Sequence, residues 1–188
     1  MSKQTLGEKL SENLKAFGLK QVLAYIEKDP EKNVPKILDW LIKTDKNNVV
    51  AHQAKAIQEA FADPHNNWHR LILSLWTDID DGVRRRLFEN FVINASMIGS
   101  PRQIKIREEE NCNVPWAILM DPTSACNLHC IGCWAAEYGD KMNMSFAQMD
   151  DIVRQGKAMG TYFYIFSGGE PLVRKKDVIA LCEAHPDC

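Results

Sequence analysis

Three cysteine residues, Cys126, Cys130 and Cys133, lie at the spacing CxxxCxxC shortly after the apolar run Trp116–Met120. Thiolates are soft ligands for zinc and for iron–sulfur clusters, and three of them within one short loop can surround a single metal centre. Residues 134–137 add no fourth cysteine. A cluster held by three cysteines leaves one iron open to a ligand from outside the protein, as catalytic metal sites do. The spacing therefore predicts chemistry at a metal centre.

A second motif, Ser167-Gly168-Gly169-Glu170-Pro171, follows the aromatic run Tyr162–Phe166. Glycine has no Cβ, so the backbone at Gly168 and Gly169 can come close to a ligand. The carboxylate of Glu170 can accept hydrogen bonds from an ammonium group. The motif therefore predicts a ligand-contacting turn at the end of a strand.

Together the two motifs resemble the start of a radical S-adenosylmethionine (SAM) enzyme. The resemblance implies that Cys126, Cys130 and Cys133 hold a 4Fe-4S cluster and that Gly168, Gly169 and Glu170 contact SAM. In this superfamily the open iron chelates SAM, and an electron from the reduced cluster splits it into methionine and a 5′-deoxyadenosyl radical that abstracts hydrogen from a substrate. No side chain of the chain is predicted to be catalytic itself.

The same resemblance implies an electron donor of the flavodoxin or ferredoxin type and a substrate among peptides, lipids or cofactor precursors. The superfamily usually has an aromatic residue just before the third cysteine, where this chain has Gly132. The resemblance therefore does not imply an adenine contact from this loop.

A structural zinc site is the alternative interpretation of the cysteines. His129 or Cys112 would then complete a tetrahedral set with Cys126, Cys130 and Cys133. In that case the chain would be a zinc-binding or interaction module without catalytic activity.

The composition is that of a globular protein, with 188 residues, 45% of them hydrophobic and 26% charged. The net charge of −2 gives no indication of a nucleic-acid partner. No apolar stretch approaches the ~20 residues that span a bilayer, and the first residues lack the apolar core of a signal peptide. We therefore expect a cytoplasmic enzyme without a membrane span, in which six cysteines indicate metal chemistry rather than disulfides.

Residues 1–100 have the apolar periodicity of successive helices. The clearest stripe has helical spacing and comprises Val34, Ile37, Leu38, Leu41 and Ile42. A last helix is predicted to end at Gly99, before Pro101. The charged residues 101–113 contain no apolar stripe and are predicted to form a linker.

Residues 114–188 change pattern to strand, helix, strand, helix. The predicted strands are Trp116–Met120 and Tyr162–Phe166. The helix between them is opened by a capping box of Ser145 and Gln148 and is closed by Gly160. A second helix is predicted over Lys176–His185. Strands joined by a helix pair in parallel, so both motifs should lie at the carboxyl edge of one sheet.

The fold class expected is α + α/β: an N-terminal all-helical domain, followed by the first two βα units of a partial (βα)6 barrel that the resemblance implies. The remaining units are not in this sequence. We therefore expect a fragment that is inactive alone and marginally stable in its second half.

Overall fold

The computed structural model of the chain describes residues 6–44, 51–133, 138, 139 and 141–188, with side chains described from residue 16 onward. The chain divides into two compact units, Met1–Phe88 and Glu89–Cys188. The division thus falls between Phe88 and Glu89, whereas the sequence predicted a helical domain to residue 100 and a linker over 101–113.

The described part of the first unit consists of helices. They are α1 (Leu6–Ile26), α2 (Pro30–Thr44), α3 (Ala51–Ala62), α4 (Asn67–Thr77) and α5 (Asp81–Phe88). Val34 and Leu38 of α2 are buried in the core, and the other three residues of the predicted stripe pack against it. The helical prediction for this part of the chain is confirmed.

The second unit opens with a π-helix, Glu89–Gly99, which leads directly into α6, Ser100–Glu110. Gly99 and Pro101 therefore do not end the helical region, and most of the predicted linker is helix. Proline is tolerated in the first turn of a helix, where its missing N–H would have no helical partner. Gly99 is required for a different reason, because a Cβ there would overlap the carbonyl oxygen of Gly160.

Helix α6 packs through polar contacts. The side chain of Gln103 is buried, and its Nε2 donates to the carbonyl oxygen of Gly160 at 2.8 Å. Arg102 donates to the carbonyl oxygen of Lys157 at 3.2 Å. Because these contacts need no apolar stripe, hydrophobic periodicity could not detect the helix.

The remainder of the second unit has the predicted order of strand, helix, strand, helix. Its elements are β1 (Ala117–Met120), α7 (Phe146–Met159), β2 (Phe163–Phe166), a 3-10 helix (Pro171–Arg174) and α8 (Lys175–Ala184). The two strands are parallel, with Ala117 opposite Phe163 and Met120 opposite Phe166. The described residues are thus helix-rich with a small parallel sheet, which is compatible with the α + α/β class.

Helix α7 is capped at both ends as predicted. Ser145 Oγ accepts from the amide of Gln148 at 3.2 Å, and Gln148 Oε1 accepts from the amide of Ser145 at 2.8 Å. Gly160 ends the helix with a positive φ of 96°.

The two faces of the sheet differ. One face packs on α7 and α8, where Met120, Met149, Val153 and Leu181 are buried together. On the other face the register partners Leu119 and Ile165 are 58% and 42% exposed. At its amino end this second face is covered, because the ring of Phe163 packs against Phe91, but at Leu119 and Ile165 the apolar surface is exposed in the described structure. Within the described residues, no helix combines the length and apolar character needed to traverse a bilayer.

Candidate metal and cofactor site

The two motifs lie at the same edge of the sheet. The segment with the three cysteines follows the carboxyl end of β1, and Ser167–Glu170 follows the carboxyl end of β2. Because β1 and β2 are parallel neighbours, both segments leave the sheet on the same side. The sequence predicted that both motifs lie at this carboxyl edge of the sheet.

Hydrogen bonds join the backbones of the two segments. The amide of Ser167 donates to the carbonyl oxygen of Met120 at 2.9 Å, and that of Gly169 to Thr123 at 3.0 Å. The amide of Glu170 donates to the carbonyl oxygen of Ala125 at 2.9 Å. The glycine motif therefore runs beside the residues that lead into Cys126.

Both glycines are required by this close approach. Gly168 has a φ of +98°, and a Cβ there would lie 2.7 Å from the Cβ of Asp121 and 2.9 Å from the carbonyl oxygen of Thr123. A Cβ on Gly169 would overlap the carbonyl of Ala125. The absence of side chains at these two positions thus allows the motif to lie against residues 121–125. The contact with a ligand that the sequence suggested for them stays a prediction.

Glu170 is half-buried and caps the helix that follows it. Its Oε1 accepts from the amide of Leu172 at 2.9 Å, and Pro171 occupies the first turn of the 3-10 helix. This bond fixes the carboxylate at the sheet edge and uses one of its two oxygens.

A short bridge closes the base of the cysteine loop, defined here as residues 125–141. Thr123 and Asn143 form an antiparallel bridge, in which Thr123 Oγ1 donates to Asn143 Oδ1 at 2.6 Å. The amide of Ser124 donates to the carbonyl oxygen of Met142 at 2.8 Å, and that of Met144 to Pro122 at 3.0 Å. Residues 122–124 and 142–144 are called the loop neck below.

The three cysteines lie on the loop as predicted by their sequence positions, with Cys126 and Cys130 exposed and Cys133 half-buried. The amide of Cys133 donates to the carbonyl oxygen of Cys130 at 3.2 Å, which forms a turn between them. Residues 134–137 and 140 lie outside the described residues. Among the described side chains, no three His, Cys, Asp or Glu are gathered as metal ligands. The structure thus places the thiols on one loop without bringing the sulfurs together.

The chemistry of the loop fits a soft metal centre. Residues 126–133 offer three thiols and one imidazole and contain no carboxylate, so the donors are unsuited to calcium or magnesium. Between the thiols, the side chains of Leu128 and Ile131 are largely exposed. A thiolate-bound iron–sulfur cluster is a group that these residues could hold.

The residues considered as a fourth zinc ligand are placed differently. His129 is exposed on the same loop. Cys112 precedes β1 and Cys126 follows it, so the two cysteines lie beyond opposite ends of the strand. This arrangement disfavours Cys112 as a fourth ligand.

Cys188, which the sequence did not assign to the metal site, is half-buried. Burial, with a contribution from Asp187, raises the pKa of its thiol to about 12. Metal ligation by cysteine requires the thiolate, so a neutral thiol in an apolar setting is unreactive. Burial also raises the pKa of the neighbouring Tyr164.

The first unit contains a cavity of about 560 Å³ for which the sequence gave no signal. Its wall includes Trp76 and the buried Arg84, whose guanidinium is 2.7 Å from Asp81. Arg85 is 3.1 Å from Glu27, and hydrogen bonds from Arg85 and then Arg84 hold the pKa of Glu27 below its usual value. The cations of this wall are thus paired with its own carboxylates, which indicates a structural ion-pair network.

Comparison with known proteins gives one match. The model of the Radical SAM superfamily matches residues 120–187, which include the cysteine loop, α7, β2 and the glycine motif. No curated protein and no solved structure gave a match. The resemblance inferred from the motifs is confirmed to the extent of this superfamily match over residues 120–187.

Proposed function

We propose that this chain is a radical SAM enzyme, or part of one, that binds a 4Fe-4S cluster through Cys126, Cys130 and Cys133. The superfamily match over residues 120–187 supports the class of chemistry. The proposed site rests on two backbone hydrogen bonds. The amide of Gly169 donates to the carbonyl oxygen of Thr123, and the amide of Glu170 donates to that of Ala125, the residue before Cys126.

The chain's own residues have separate tasks in this proposal. The three thiolates hold the metal, and the exposure of Cys126 and Cys130 leaves room for a cofactor beside them. Gly168 and Gly169 present backbone polar groups at the sheet edge, and Glu170 accepts from the ammonium group of SAM. SAM bound there and reduced by one electron from the cluster would supply methionine and a 5′-deoxyadenosyl radical, which abstracts hydrogen from the substrate.

The proposal includes the wider fold. β1 and β2 would be the first two strands of a partial (βα)6 barrel. The exposed apolar face at Leu119 and Ile165 supports this, since it is suited to an interior surface that further strands would cover. The electron would come from a flavodoxin- or ferredoxin-like protein, and the substrate would be a peptide, a lipid or a cofactor precursor.

Anaerobic reconstitution tests the proposal. The full chain is purified without oxygen, supplied with iron and sulfide, and examined by visible absorption and by EPR after reduction, with and without SAM. We expect a brown protein whose reduced EPR signal changes when SAM is added. Formation of 5′-deoxyadenosine is measured separately. A colourless protein that binds zinc stoichiometrically would contradict the proposal.

A further inference from the structure

We infer that Thr123 and Asn143 are positioning residues that fix the cysteine loop against the segment proposed to contact SAM. This inference rests on the proposed function and goes beyond it, since neither residue belongs to a motif.

Thr123 connects three parts of the site. The residue is 1% exposed, and its Oγ1 donates to Asn143 Oδ1 at 2.6 Å. The same oxygen accepts from the amide of Ala125 at 3.0 Å, one residue before Cys126. The carbonyl oxygen of Thr123 accepts from the amide of Gly169 at 3.0 Å. Thr123 therefore links the start of the cysteine loop, the opposite side of the loop neck and the glycine motif through hydrogen bonds.

The other side of the neck is tied to the same segment. Arg174, at the end of the 3-10 helix capped by Glu170, donates from Nη1 to the carbonyl oxygen of Met144 at 3.0 Å. Its Nε donates to Asp177 at 2.7 Å, which holds the guanidinium in place. Both ends of the cysteine loop are thus bonded to residues that flank Glu170.

The Thr123 hydroxyl takes part in two of these hydrogen bonds. Without it, the amide of Ala125 loses this acceptor and Asn143 Oδ1 loses the hydrogen bond from Thr123, at the point where the chain enters the loop. The three cysteines are close in sequence and can still gather around a cluster. The position of that cluster relative to Glu170 is then less well fixed. Because SAM is proposed to contact both the cluster and Glu170, its affinity should fall.

The test compares Thr123→Val, which keeps the shape of the side chain, with Thr123→Ser, which keeps the hydroxyl. Iron per chain, thermal unfolding of the metal-free chain and SAM affinity by EPR titration are measured for each. We expect Thr123→Val to bind iron like the wild type and SAM about tenfold more weakly, and Thr123→Ser to bind SAM like the wild type. Unchanged SAM affinity in Thr123→Val would overturn the inference.

A second pair of variants, at Asn143, tests the inference if Thr123→Val does not fold. Asn143 is exposed, so Asn143→Leu leaves the core intact, and Asn143→Asp retains an oxygen acceptor. We expect a several-fold loss of SAM affinity in Asn143→Leu only, at unchanged iron content. Equal affinities, or parallel losses of iron, thermal stability and SAM, would assign these residues a folding role alone. A wild-type chain without a SAM-responsive cluster would instead refute the proposed function itself.

Discussion

The amide of Glu170 donates to the carbonyl oxygen of Ala125 at 2.9 Å, and Ala125 is the residue before Cys126. A residue proposed to recognise a cofactor and a residue proposed to bind a metal are thus separated by one hydrogen bond and one peptide unit. The relationship depends on the parallel pairing of β1 and β2, which directs both loops to one edge.

Replacing Gly169 by alanine should disturb this contact, because the new Cβ would overlap the carbonyl of Ala125. We expect Gly169→Ala to lower the free energy of unfolding of the second unit by about 1–3 kcal/mol and to weaken SAM binding. Thermal unfolding and EPR titration with SAM measure the two effects.

Gly18 provides the control. It lies in α1, and a Cβ there would meet nothing within 4 Å. Gly18→Ala should leave SAM binding unchanged and stabilise the helix by up to about 1 kcal/mol. Equal behaviour of the two variants would show that the close approach at Gly169 has no energetic role.

Serine substitutions at the cysteines separate the iron–sulfur and zinc interpretations. Cys126→Ser, Cys130→Ser and Cys133→Ser should each lower the iron retained after reconstitution by several-fold, because a serine hydroxyl is a poor ligand for a soft metal. Cys112→Ser and His129→Ala should retain iron like the wild type. Metal analysis and visible absorption provide the measurement. A loss of bound metal in His129→Ala would indicate a fourth protein ligand and favour zinc.

The sequence predicted those features of the second unit that depend on local patterns. The capping box at Ser145 and the terminal Gly160 mark α7 because a cap is set by a few neighbouring residues. The apolar runs mark β1 and β2 to within one residue at their starts, and parallel pairing follows from the helix between them.

Features that depend on contacts between distant residues were not predictable in this way. Helix α6 has no apolar stripe, and Gln103 meets Gly160 only after the chain has folded. The roles of Thr123 and Asn143 likewise depend on a bridge between the two ends of a loop. The close approach of the motif glycines to residues 121–125 likewise depends on the pairing of the two strands, and their predicted contact with a ligand stays a prediction.

The attachment of α6 through Gln103 gives a stability prediction. Gln103→Ala removes a buried donor and leaves the carbonyl of Gly160 without this hydrogen bond, so we expect a loss of about 1–3 kcal/mol in the free energy of unfolding. Ile104→Ala, at the neighbouring exposed position, should change it by less than about 0.5 kcal/mol. Denaturant unfolding followed by circular dichroism compares the two. Similar losses would show that the polar contact does not hold the helix.

The hydrogen bond between Asp150 and His185 predicts how the second unit responds to acid. A hydrogen bond from Arg154, followed by one from His185 at 2.9 Å, lowers the pKa of Asp150 below its ordinary value of 3.8. A carboxyl group whose pKa is lowered by folding stabilises the folded state at neutral pH. This stabilisation starts to be lost when the pH falls below 3.8, the ordinary pKa that applies to the unfolded chain. The loss is complete once the pH lies below the lowered pKa of the folded state.

Asp150→Asn should therefore be less stable than the wild type at neutral pH, and the difference between their unfolding midpoints should shrink as the pH approaches about 3. Asp151→Asn is the matched control, because Asp151 bonds only to Arg154 and Gln155 of its own helix in the described contacts. We expect it to cost less stability than Asp150→Asn, since it does not touch the link from α7 to His185 at the end of α8. A difference between wild type and Asp150→Asn that stays constant from neutral pH to about pH 3 would show that the Asp150 charge does not stabilise the unit.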